Sequence, residues 1–471
     1  MTPSRSLQSP SPNDTVDLPP RRAVRAGHTQ VLVVGGGPAG LGAALGASAA
    51  GASVVLAERY GFLGGNATAA LVMPLTSFHR QLTAASGGAA GALFPTDHGT
   101  GEPVVGGALR MLLDRLTAVG GADEPSPRTG YTTPFDPERF KLAALDLLAE
   151  AGVSLLLHAF ASDLLMTPNA ARAVFETKSG PIAIDADVVV DATGDGDLAA
   201  AAGASYQVGR AEDGLTQPMT LMFRMGRFDP DAFAGYVRAH PDQWTGVHGL
   251  PDLIRQATEA GDLDLPREDL LMFSTPHADE VSVNSTRVTG VFGTSVWDLT
   301  RAELLARRQL QQIVAFLRGR VPGFAASYLL QSGAQIGVRE TRRISGLYQL
   351  TGEDVLSARQ FDDAIARGAY SIDIHNPGGR GTRLQPLPLG GAYEIPLRCL
   401  VPRDTERLLV AGRCISGDHV AHSSYRVMPI AMATGQAAGV CAAIAAGGGK
   451  APADVPADSV RRRLLDQGAS L

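Results

Sequence analysis

The order of apolar and polar segments after residue 29 predicts a strand, a helix and a second strand in close succession. The run QVLVV is short, apolar and rich in valine, which is typical of a buried strand in a parallel sheet. The stretch PAGLGAALGASAAGA is rich in alanine and leucine and predicts a helix with Pro38 in its first turn. The apolar run SVVLAER follows and predicts the second strand. Together these segments predict a β-α-β unit.

The same patterning predicts two long helices further along the chain. DPERFKLAALDLLAEAG predicts a helix with Asp136 as its N-cap and Gly152 as its end. DLTRAELLARRQLQQIVAFLRGRVPGF predicts a helix that starts at Asp298 and is stopped at Pro322, because proline cannot continue a helix. Both helices lie outside the first β-α-β unit and imply a larger α/β architecture.

Two uncharged stretches, 31–57 and 430–449, raise the question of a membrane span. Both are dominated by alanine and glycine, and the first is interrupted by Gly-Gly-Gly-Pro. In the second, a strand LLVAG leads through a polar turn to a helix that opens near Met428 and Pro429, where proline is favourable. We interpret both stretches as buried elements of a parallel α/β fold and expect no membrane partner.

A glycine cluster connects the first predicted strand and helix. Gly35, Gly37 and Gly40 have the G-x-G-x-x-G spacing, and Glu58 ends the second strand eighteen residues after Gly40. In this frame the first glycine makes the tight turn, the second lets backbone approach a pyrophosphate, and the third lets helix pack on strand. The helix N-terminus faces the phosphates and Glu58 accepts ribose hydroxyls. The unit therefore predicts a dinucleotide, FAD or NAD, without a 2′-phosphate.

Three later segments favour FAD over NAD. GFLGGNAT (61–68) adds a second glycine turn directly after the β-α-β unit, and ADVVVDATGDGD (186–197) adds a strand that ends in a polar turn. The segment 408–439 adds the strand and helix near the C-terminus, and that helix N-terminus would favour negative charge on a reduced flavin. Small residues at Gly435 and Gly439 allow that helix to pack closely on the cofactor or on the first helix.

Composition narrows the class of protein. The chain has 471 residues, a formal net charge of −6 and three cysteines without a C-x-x-C pair. The acidic balance disfavours a nucleic-acid partner, and the cysteine pattern argues against a disulfide framework or a metal site and favours a cytoplasmic location. The first 28 residues are rich in Ser, Pro and Arg and are expected to form a disordered tail.

The motifs VVGGGPAG, ERYGFLGGNAT, DATGDGDLAA, QIGVRETRRISGLYQLTGEDV and LLVAGRCISGDHVAHSSYRVMPIAMATGQAAG occur in this order. In these motifs the chain resembles the FAD-dependent oxidoreductases, a family with a glutathione-reductase-like FAD fold related to fumarate reductase flavoproteins. The resemblance implies bound FAD. The chain departs from the family's Ser-Ala-Thr-His turn at Ser416-Gly417-Asp418-His419, where Asp418 is expected to bind the ribityl hydroxyls, as an Asp does in related reductases. Phe160, which follows VSLLLHA, is expected beside the adenine. The other contacts that the resemblance implies are Gly35, Gly37, Pro38, Ala39, Gly40, Glu58, Arg59, Gly64, Gly65, Asn66, Thr68, Thr193, Gly194, Asp195, Gly412, Arg413, Arg426, Val427 and Met428.

The expected fold is α/β: a Rossmann-type FAD-binding domain of the three-layer ββα/βαβ kind, with an inserted mixed α+β substrate domain. The cofactor segments are far apart in sequence, so the FAD domain must be discontinuous. The expected boundaries are a tail at 1–28, an FAD domain at 29–75, 136–208 and 395–450, an inserted loop or cap at 76–134, a substrate domain at 209–394 and a C-terminal helix and tail at 451–471.

Histidines are the first candidates for the catalytic base. His375 in SIDIHNP is projected from a strand end by the turn at Asn376-Pro377, and the ordinary histidine pKa of about 6.5 suits proton transfer. The alternative for His375 is a structural hydrogen bond in a loop. His419 lies in the flavin-side turn and is a second candidate.

Arginines are the candidates for binding a substrate anion. Arg339, Arg342 and Arg343 in RETRR either anchor an anionic substrate or form ion pairs with nearby carboxylates at a domain junction. Arg426 precedes the C-terminal helix and is expected to serve both the cofactor and catalysis. We include Arg339 and Arg426 with the two histidines as candidate catalytic residues.

These features predict an enzyme, an FAD-dependent dehydrogenase or oxidase that moves hydride from a C–H bond of a small or medium organic substrate to flavin N5. The chain has one nucleotide fingerprint and no C-x-x-x-x-C pair, which disfavours a disulfide-reductase mechanism. Two alternatives stay open: a monooxygenase that uses NAD(P)H, and an FAD-binding protein without redox turnover. The electron acceptor is oxygen or another carrier, and a homodimer is the default expectation.

Overall fold

The structure is a computed structural model that describes residues 15–82, 93–94, 101–124, 126 and 132–471. Its helices are α1 (Pro38–Ala49), α2 (Ala108–Ala118), α3 (Pro137–Glu150), α4 (Asp197–Ala201), α5 (Pro230–Ala239), α6 (Pro251–Glu259), α7 (Val296–Arg320), α8 (Gly352–Leu356), α9 (His419–Tyr425), α10 (Met428–Gly448) and α11 (Ala457–Asp466).

The strands of the first half of the chain are β1 (Val24–Val34), β2 (Val54–Ala57), β3 (Ser154–Leu156), β4 (Phe160–Met166), β5 (Ala171–Thr177), β6 (Gly180–Asp191), β7 (Tyr206–Val208) and β8 (Phe223–Gly226). Those that follow are β9 (Trp244–Thr245), β10 (His248–Gly249), β11 (Leu270–Ser274), β12 (Val281–Val283), β13 (Tyr328–Ser332), β14 (Arg342–Ile344), β15 (Ala364–Gly368), β16 (Ile372–His375), β17 (Thr382–Gln385), β18 (Tyr393–Pro396) and β19 (Leu408–Val410).

A mixed sheet in the order β3-β2-β1-β6-β5-β4 carries the cofactor segments. Strands β1, β2, β3 and β6 are parallel to their neighbours in that group, and β19 adds to β6 in parallel. Strands β4, β5 and β6 form an antiparallel meander. The apolar run of β1 is fully enclosed, with Val31, Leu32 and Val33 at 0% exposure. The Rossmann-type α/β class predicted from the sequence is therefore confirmed.

Helices α1 and α10 pack against each other backbone to backbone. A Cβ atom added at Gly435 would lie 1.9 Å from the carbonyl oxygen of Ala39, and one at Gly439 would lie 2.0 Å from that of Ala43. The facing side is equally close, since a Cβ at Gly42 would lie 2.2 Å from the carbonyl oxygen of Met432. The sequence allowed Gly435 and Gly439 to pack on the cofactor or on the first helix. In the structure they pack on the first helix.

Helix α10 is also the one helix among the described residues that is long and apolar enough to cross a membrane, judged by length and composition alone. Its most apolar window has a mean hydropathy of 1.5, and 78% of that window is buried inside the protein. Helix α10 thus serves as a core helix in this fold, because its apolar faces are covered by α1, β1, β6 and β15.

A second, antiparallel sheet in the order β13-β8-β12-β11-β10-β9 builds a separate apolar core with α7. Helix α7 begins at Val296, two residues before the predicted start, because the Ser295 side chain accepts a hydrogen bond from the Asp298 N–H and caps it. The helix ends at Arg320, just before Pro322 as predicted. Helix α3 likewise has Asp136 as its N-cap.

The structure corrects two sequence expectations about segments. Strand β1 begins at Val24, which pairs with Ile182 of β6, so residues 24–28 belong to the sheet and not to a tail. The segment 76–134 was expected to be loop, yet it contains α2, whose apolar face is buried against α1, α3 and α10. The remaining expectations for 1–14, 83–92, 95–100 and 127–131 lie outside the described residues.

The close packing of α1 and α10 predicts a sharp difference between two glycines of one helix. Gly435→Ala should lower the free energy of unfolding by about 1–3 kcal/mol, because the added methyl group overlaps the backbone of α1. Gly447 has no atom within 4 Å of an added Cβ, so Gly447→Ala should be neutral or stabilise by up to about 1 kcal/mol. Denaturant unfolding of both variants measures this, and equal effects would contradict the packing.

Candidate functional site

A cleft of about 1320 Å³ opens at the carboxyl ends of β1, β6 and β19 and at the N-terminus of α1. Ligands of parallel α/β sheets bind at this edge, where backbone N–H groups and the helix dipole face outward. At the base of the cleft Gly35 leaves no room for a side chain, because its added Cβ would lie 2.4 Å from the carbonyl oxygen of Ala192. The backbones of Gly37 and Gly65 also approach closely, with 2.8 Å between an added Gly65 Cβ and the Gly37 Cα. This bare backbone fits a pyrophosphate.

Glu58 is fixed at the wall of this cleft. Its carboxylate accepts hydrogen bonds from the N–H groups of Gly36 and Tyr60, the second at 2.9 Å, and its exposed fraction is 5%. Arg59 stacks over the Tyr60 ring and donates to Gln335 at 3.2 Å. Phe160, at the start of β4, is 52% exposed beside the same cleft. Glu58 and these flat side chains fit the ribose and adenine end of a dinucleotide.

The turn after β6 lines the other end of the cleft. Arg413 bridges the two halves of the molecule: it donates to the Val338 carbonyl at 2.6 Å and to the Asp195 carboxylate at 2.9 Å. Thr341 donates to the same Asp195 oxygen at 3.0 Å. Burial, together with Asp195, raises the pKa of Asp197 to about 6. The predicted turn is thus held by charge-assisted bonds that leave Gly194 and Thr193 facing the cleft.

Most of the sequence-predicted cofactor residues meet in this cleft. The ones that line it are Gly35, Gly37, Pro38, Ala39, Glu58, Arg59, Gly65, Asn66, Phe160, Thr193, Gly194, Asp195, Gly412, Arg413, Arg426 and Met428. Val427 lines an adjoining cavity instead. Gly40, Gly64 and Thr68 do not line the cleft but support it: Gly40 packs on Gly35, and Thr68 donates to the Leu63 carbonyl at 2.6 Å behind Gly64.

The prediction that Asp418 binds cofactor hydroxyls is wrong. Asp418 is the N-cap of α9 and accepts a hydrogen bond from the Ala421 N–H at 2.6 Å. Its second oxygen accepts from the Gly352 N–H at 3.0 Å, and Asp418 does not line the cleft. Asp418 lies on a different surface of the molecule, beside α8. A polar residue in a turn is often consumed by helix capping, and that is its use here.

A second cavity of about 900 Å³ adjoins the cleft at Asn66, Arg413, Arg426 and Met428, which line both. One wall carries charged and polar groups, among them His375, Arg339 and Arg426. Apolar side chains also line the cavity: Val72, Met73 and Pro74, together with Met222 next to β8 and Phe273 of β11. The two cavities therefore form one continuous site, with space for a cofactor and a further small molecule.

His375 lies at the end of β16 in a network around Asp373. The His375 Nε2 is 3.4 Å from the Asp373 carboxylate, and Nδ1 is 3.3 Å from the Thr382 hydroxyl. Asp373 also accepts from the Tyr370 hydroxyl at 2.8 Å and from Arg426 at 3.2 Å. Burial, with help from Arg339 and Arg426 and against Asp373, lowers the pKa of His375 to about 4. The imidazole is therefore neutral at pH 7 and able to accept a proton.

The carboxylate of this network is ionised. Burial alone would raise the pKa of Asp373, but His375, Arg426 and the Tyr370 hydroxyl hold that pKa well below its usual range. Asp373 was missed in the sequence, although a signal was present. It stands two residues before His375 in β16, and side chains of residues i and i+2 lie on the same face of a strand. Tyr370 carried no such periodic signal.

His419 is not a catalytic candidate in this structure. It lines neither cavity, and its Nδ1 lies 2.9 Å from the fully buried carboxylate of Glu340. Glu340 also accepts from Arg343 and from the Gln217 N–H. His419 is thus part of a buried hydrogen-bond network around Glu340, and the structure places it apart from the candidates that line the second cavity.

The three arginines of RETRR divide between the two predicted positions, the domain junction and the substrate cavity. Arg343 pairs with Glu340, and Arg342 pairs with Asp197 at 2.9 Å, so these two hold the domain junction. Arg339 instead lines the second cavity and donates to the Pro218 carbonyl at 2.7 Å and to the Thr220 hydroxyl at 2.6 Å. Burial, followed by the like charge of Arg426, lowers the pKa of Arg339 to about 9, and it stays protonated at pH 7.

Comparison with known proteins gives one family match. The family model described as "FAD dependent oxidoreductase" matches residues 30–464. No curated protein sequence matches the chain. The match covers both the cleft and the second cavity, and it agrees with the FAD that the cleft fits.

Several solved structures have a similar backbone fold. One is a geranylgeranyl bacteriochlorophyll reductase-like protein from Thermoplasma acidophilum, which is 12% identical in sequence with a TM-score of 0.43. The alignment covers 94% of this chain and 84% of that protein. A p-nitrophenol 4-monooxygenase from Pseudomonas putida is similar at 10% identity and a TM-score of 0.44, over 94% and 85%. A flavoprotein/dehydrogenase from Cytophaga hutchinsonii is similar at 12% identity and a TM-score of 0.42, over 93% and 84%. Structural similarity at these low identities and TM-scores does not identify the reaction that this chain catalyses.

The hydrogen bonds of the Glu58 carboxylate predict that replacing one of its oxygens weakens FAD binding. Glu58→Gln replaces one acceptor oxygen by an N–H group, which would face a backbone N–H of Gly36 or Tyr60. We expect FAD to bind about tenfold or more weakly, the range for a lost hydrogen bond to a charged group. Titration of the apoprotein with FAD, followed by flavin fluorescence, measures the affinity. Glu406→Gln at the exposed surface is the matched control, and equal affinities of the two variants would contradict the assignment.

Proposed function

The chain belongs to the FAD-dependent oxidoreductase family, and we propose that it is a dehydrogenase or oxidase whose substrate is oxidised in the second cavity with His375 as the proton acceptor. The residues that line the cleft would hold FAD, which would supply a two-electron acceptor. The observation that carries the proposal is a neutral histidine that lines a cavity continuous with the cofactor cleft. Perturbed titratable groups in such positions are characteristic of catalytic sites.

The surroundings of His375 support a defined proton position. The Asp373 carboxylate, 3.4 Å from Nε2, favours the tautomer with the ring proton on Nε2, which leaves Nδ1 as the acceptor atom beside the Thr382 hydroxyl at 3.3 Å. A substrate that loses a hydride from a C–H bond must also lose a proton from the neighbouring O–H, N–H or C–H group. Nδ1 takes that proton, directly or through Thr382, and Asp373 stabilises the resulting imidazolium.

The other polar groups of the cavity support substrate positioning and not proton transfer. A guanidinium group carries only hydrogen-bond donors, so Arg339 and Arg426 cannot act as bases. The phenol of Tyr370 is buried against Asp373, which raises its pKa well above the usual value, so it stays protonated. His375 is therefore the one neutral basic side chain that lines this cavity within the described residues.

Replacement of His375 tests the proposal. A panel of organic compounds with CH–OH, CH–NH and CH–CH groups is mixed anaerobically with the holoenzyme, and loss of the visible flavin absorbance identifies the compound that reduces FAD. His375→Gln should slow this reduction about 100-fold or more at unchanged FAD content, the usual contribution of a general base. The matched control, His240→Gln at the exposed end of α5, should leave the rate unchanged.

Two results would overturn the proposal. An unchanged rate in His375→Gln would remove the base. Absence of reduction by every compound, together with NAD(P)H consumption that an organic ligand stimulates, would instead identify a monooxygenase.

The low pKa of His375 predicts an unusual pH dependence of the rate of flavin reduction. Its pKa lies near 4 in the folded protein, against the ordinary value of about 6.5. Because the base is active when unprotonated, the rate of flavin reduction should stay level from about pH 8 to about pH 5.5 and fall only as the pH approaches 4. Stopped-flow reduction across this range measures the profile, and half-loss of the rate near pH 6.5 would show a histidine at its ordinary pKa.

A further inference from the structure

Arg339 carries a positive charge that the protein leaves without a carboxylate partner in the described part of the chain. Its sequence neighbours Arg342 and Arg343 each have one. Arg339 binds only neutral acceptors, the Pro218 carbonyl and the Thr220 hydroxyl, through Nη1. Arg339 is half-buried on the cavity wall, and a charge with reduced access to water is stabilised by an ion pair, so this position suits an external anion.

Arg426 adds a second positive charge to the same cavity. Its Nη2 donates to Asp373 at 3.2 Å, but that carboxylate is shared with His375 and Tyr370. The Nε of Arg426 is buried and has no hydrogen-bond partner. After burial, the charge of Arg426 is the main cause of the lowered pKa of Arg339, so the two guanidinium groups are close enough to repel each other. Two guanidinium groups with one shared carboxylate leave a surplus of one positive charge.

The rest of the cavity limits the form of the anion. Met73 and Pro74, together with Met222 and Phe273 of one apolar cluster, give the cavity an apolar wall. A small inorganic anion would leave this apolar wall exposed to water, whereas an organic molecule with an apolar body would cover it. The surplus of one charge matches a monovalent carboxylate better than a doubly charged phosphate.

We propose that the substrate of this site is an organic acid, whose carboxylate binds between Arg339 and Arg426 and whose apolar body lies against the wall of Met222 and Phe273. This inference rests on the proposed function and names its substrate class. The negative charge of the carboxylate offsets the surplus positive charge of the cavity. A guanidinium group can bind both carboxylate oxygens through two parallel, charge-assisted hydrogen bonds. Asp373 keeps Arg426 oriented, and Arg339 supplies the charge that selects acids over neutral compounds.

Binding of unreactive aromatic acids tests the inference without turnover. Benzoate and cinnamate, and their neutral amides benzamide and cinnamamide, are titrated into the holoenzyme by calorimetry and by changes in the bound-flavin spectrum. The acids should bind at least about tenfold more tightly than the amides. Arg339→Gln should weaken acid binding about 10- to 100-fold, the range for hydrogen bonds to charged groups, and leave amide binding unchanged.

Two further variants separate charge from folding. Arg339→Lys keeps the charge but loses the planar fork, so it should retain part of the acid affinity. Arg238→Gln, on the exposed side of α5, is the matched control and should bind acids like the unmodified protein. FAD content is measured for each variant.

Four results would overturn the inference: equal affinity for acids and amides, no acid binding at all, tighter binding of phenyl phosphate than of benzoate, or loss of FAD in Arg339→Gln with acid binding unchanged. The last would show that Arg339 serves the cofactor. If acids bind as expected but no acid in the anaerobic panel reduces FAD, the carboxylate site stands and the proposed oxidation fails. The two proposals are therefore tested separately.

Discussion

Backbone contact between α1 and α10 is the constraint on which the rest of the site depends. Gly435 faces Ala39 and Gly439 faces Ala43, so residue numbers rise together and the helices run in the same direction. Averaged with the reciprocal contacts of Gly42 with Met432 and of Gly46 with Gln436, this register starts α10 about three residues before α1, or about 4.5 Å along the axis at 1.5 Å per residue. One helix N-terminus therefore faces the glycine cradle, and the other faces the junction with the second cavity. A long cofactor meets both.

The second cavity depends on how a few buried charges are distributed. Arg342, Arg343 and Arg413 are each paired with a carboxylate, and those pairs hold the two halves of the molecule together. Of the two arginines in the second cavity, Arg426 donates to Asp373, and Arg339 donates to the neutral oxygens of Pro218 and Thr220. This division gives the junction its rigidity and gives the cavity its positive charge. It also keeps His375 neutral, because burial and both guanidinium groups disfavour its protonation more than Asp373 favours it.

The cofactor half of the site could be predicted from sequence because its chemistry is local. Gly35, Gly37 and Glu58 belong to one β-α-β unit, and spacing alone fixes their relation to each other. The failures came where the partner was distant. Asp418 could bind a ligand or cap a helix, and only the position of Gly352 and Ala421 decides this. The separate fates of Arg339 and Arg343, four residues apart, depend on where Glu340 and the cavity lie in three dimensions.

One continuous site is thus divided between a cofactor and an acidic substrate. A crystal structure of the holoenzyme with bound benzoate would show this division. We expect FAD along the cleft from Glu58 to Arg413, and benzoate in the second cavity with its carboxylate on Arg339 and Arg426 and its ring near Phe273. A flavin ring that fills the second cavity and covers His375, leaving benzoate outside, would contradict this assignment.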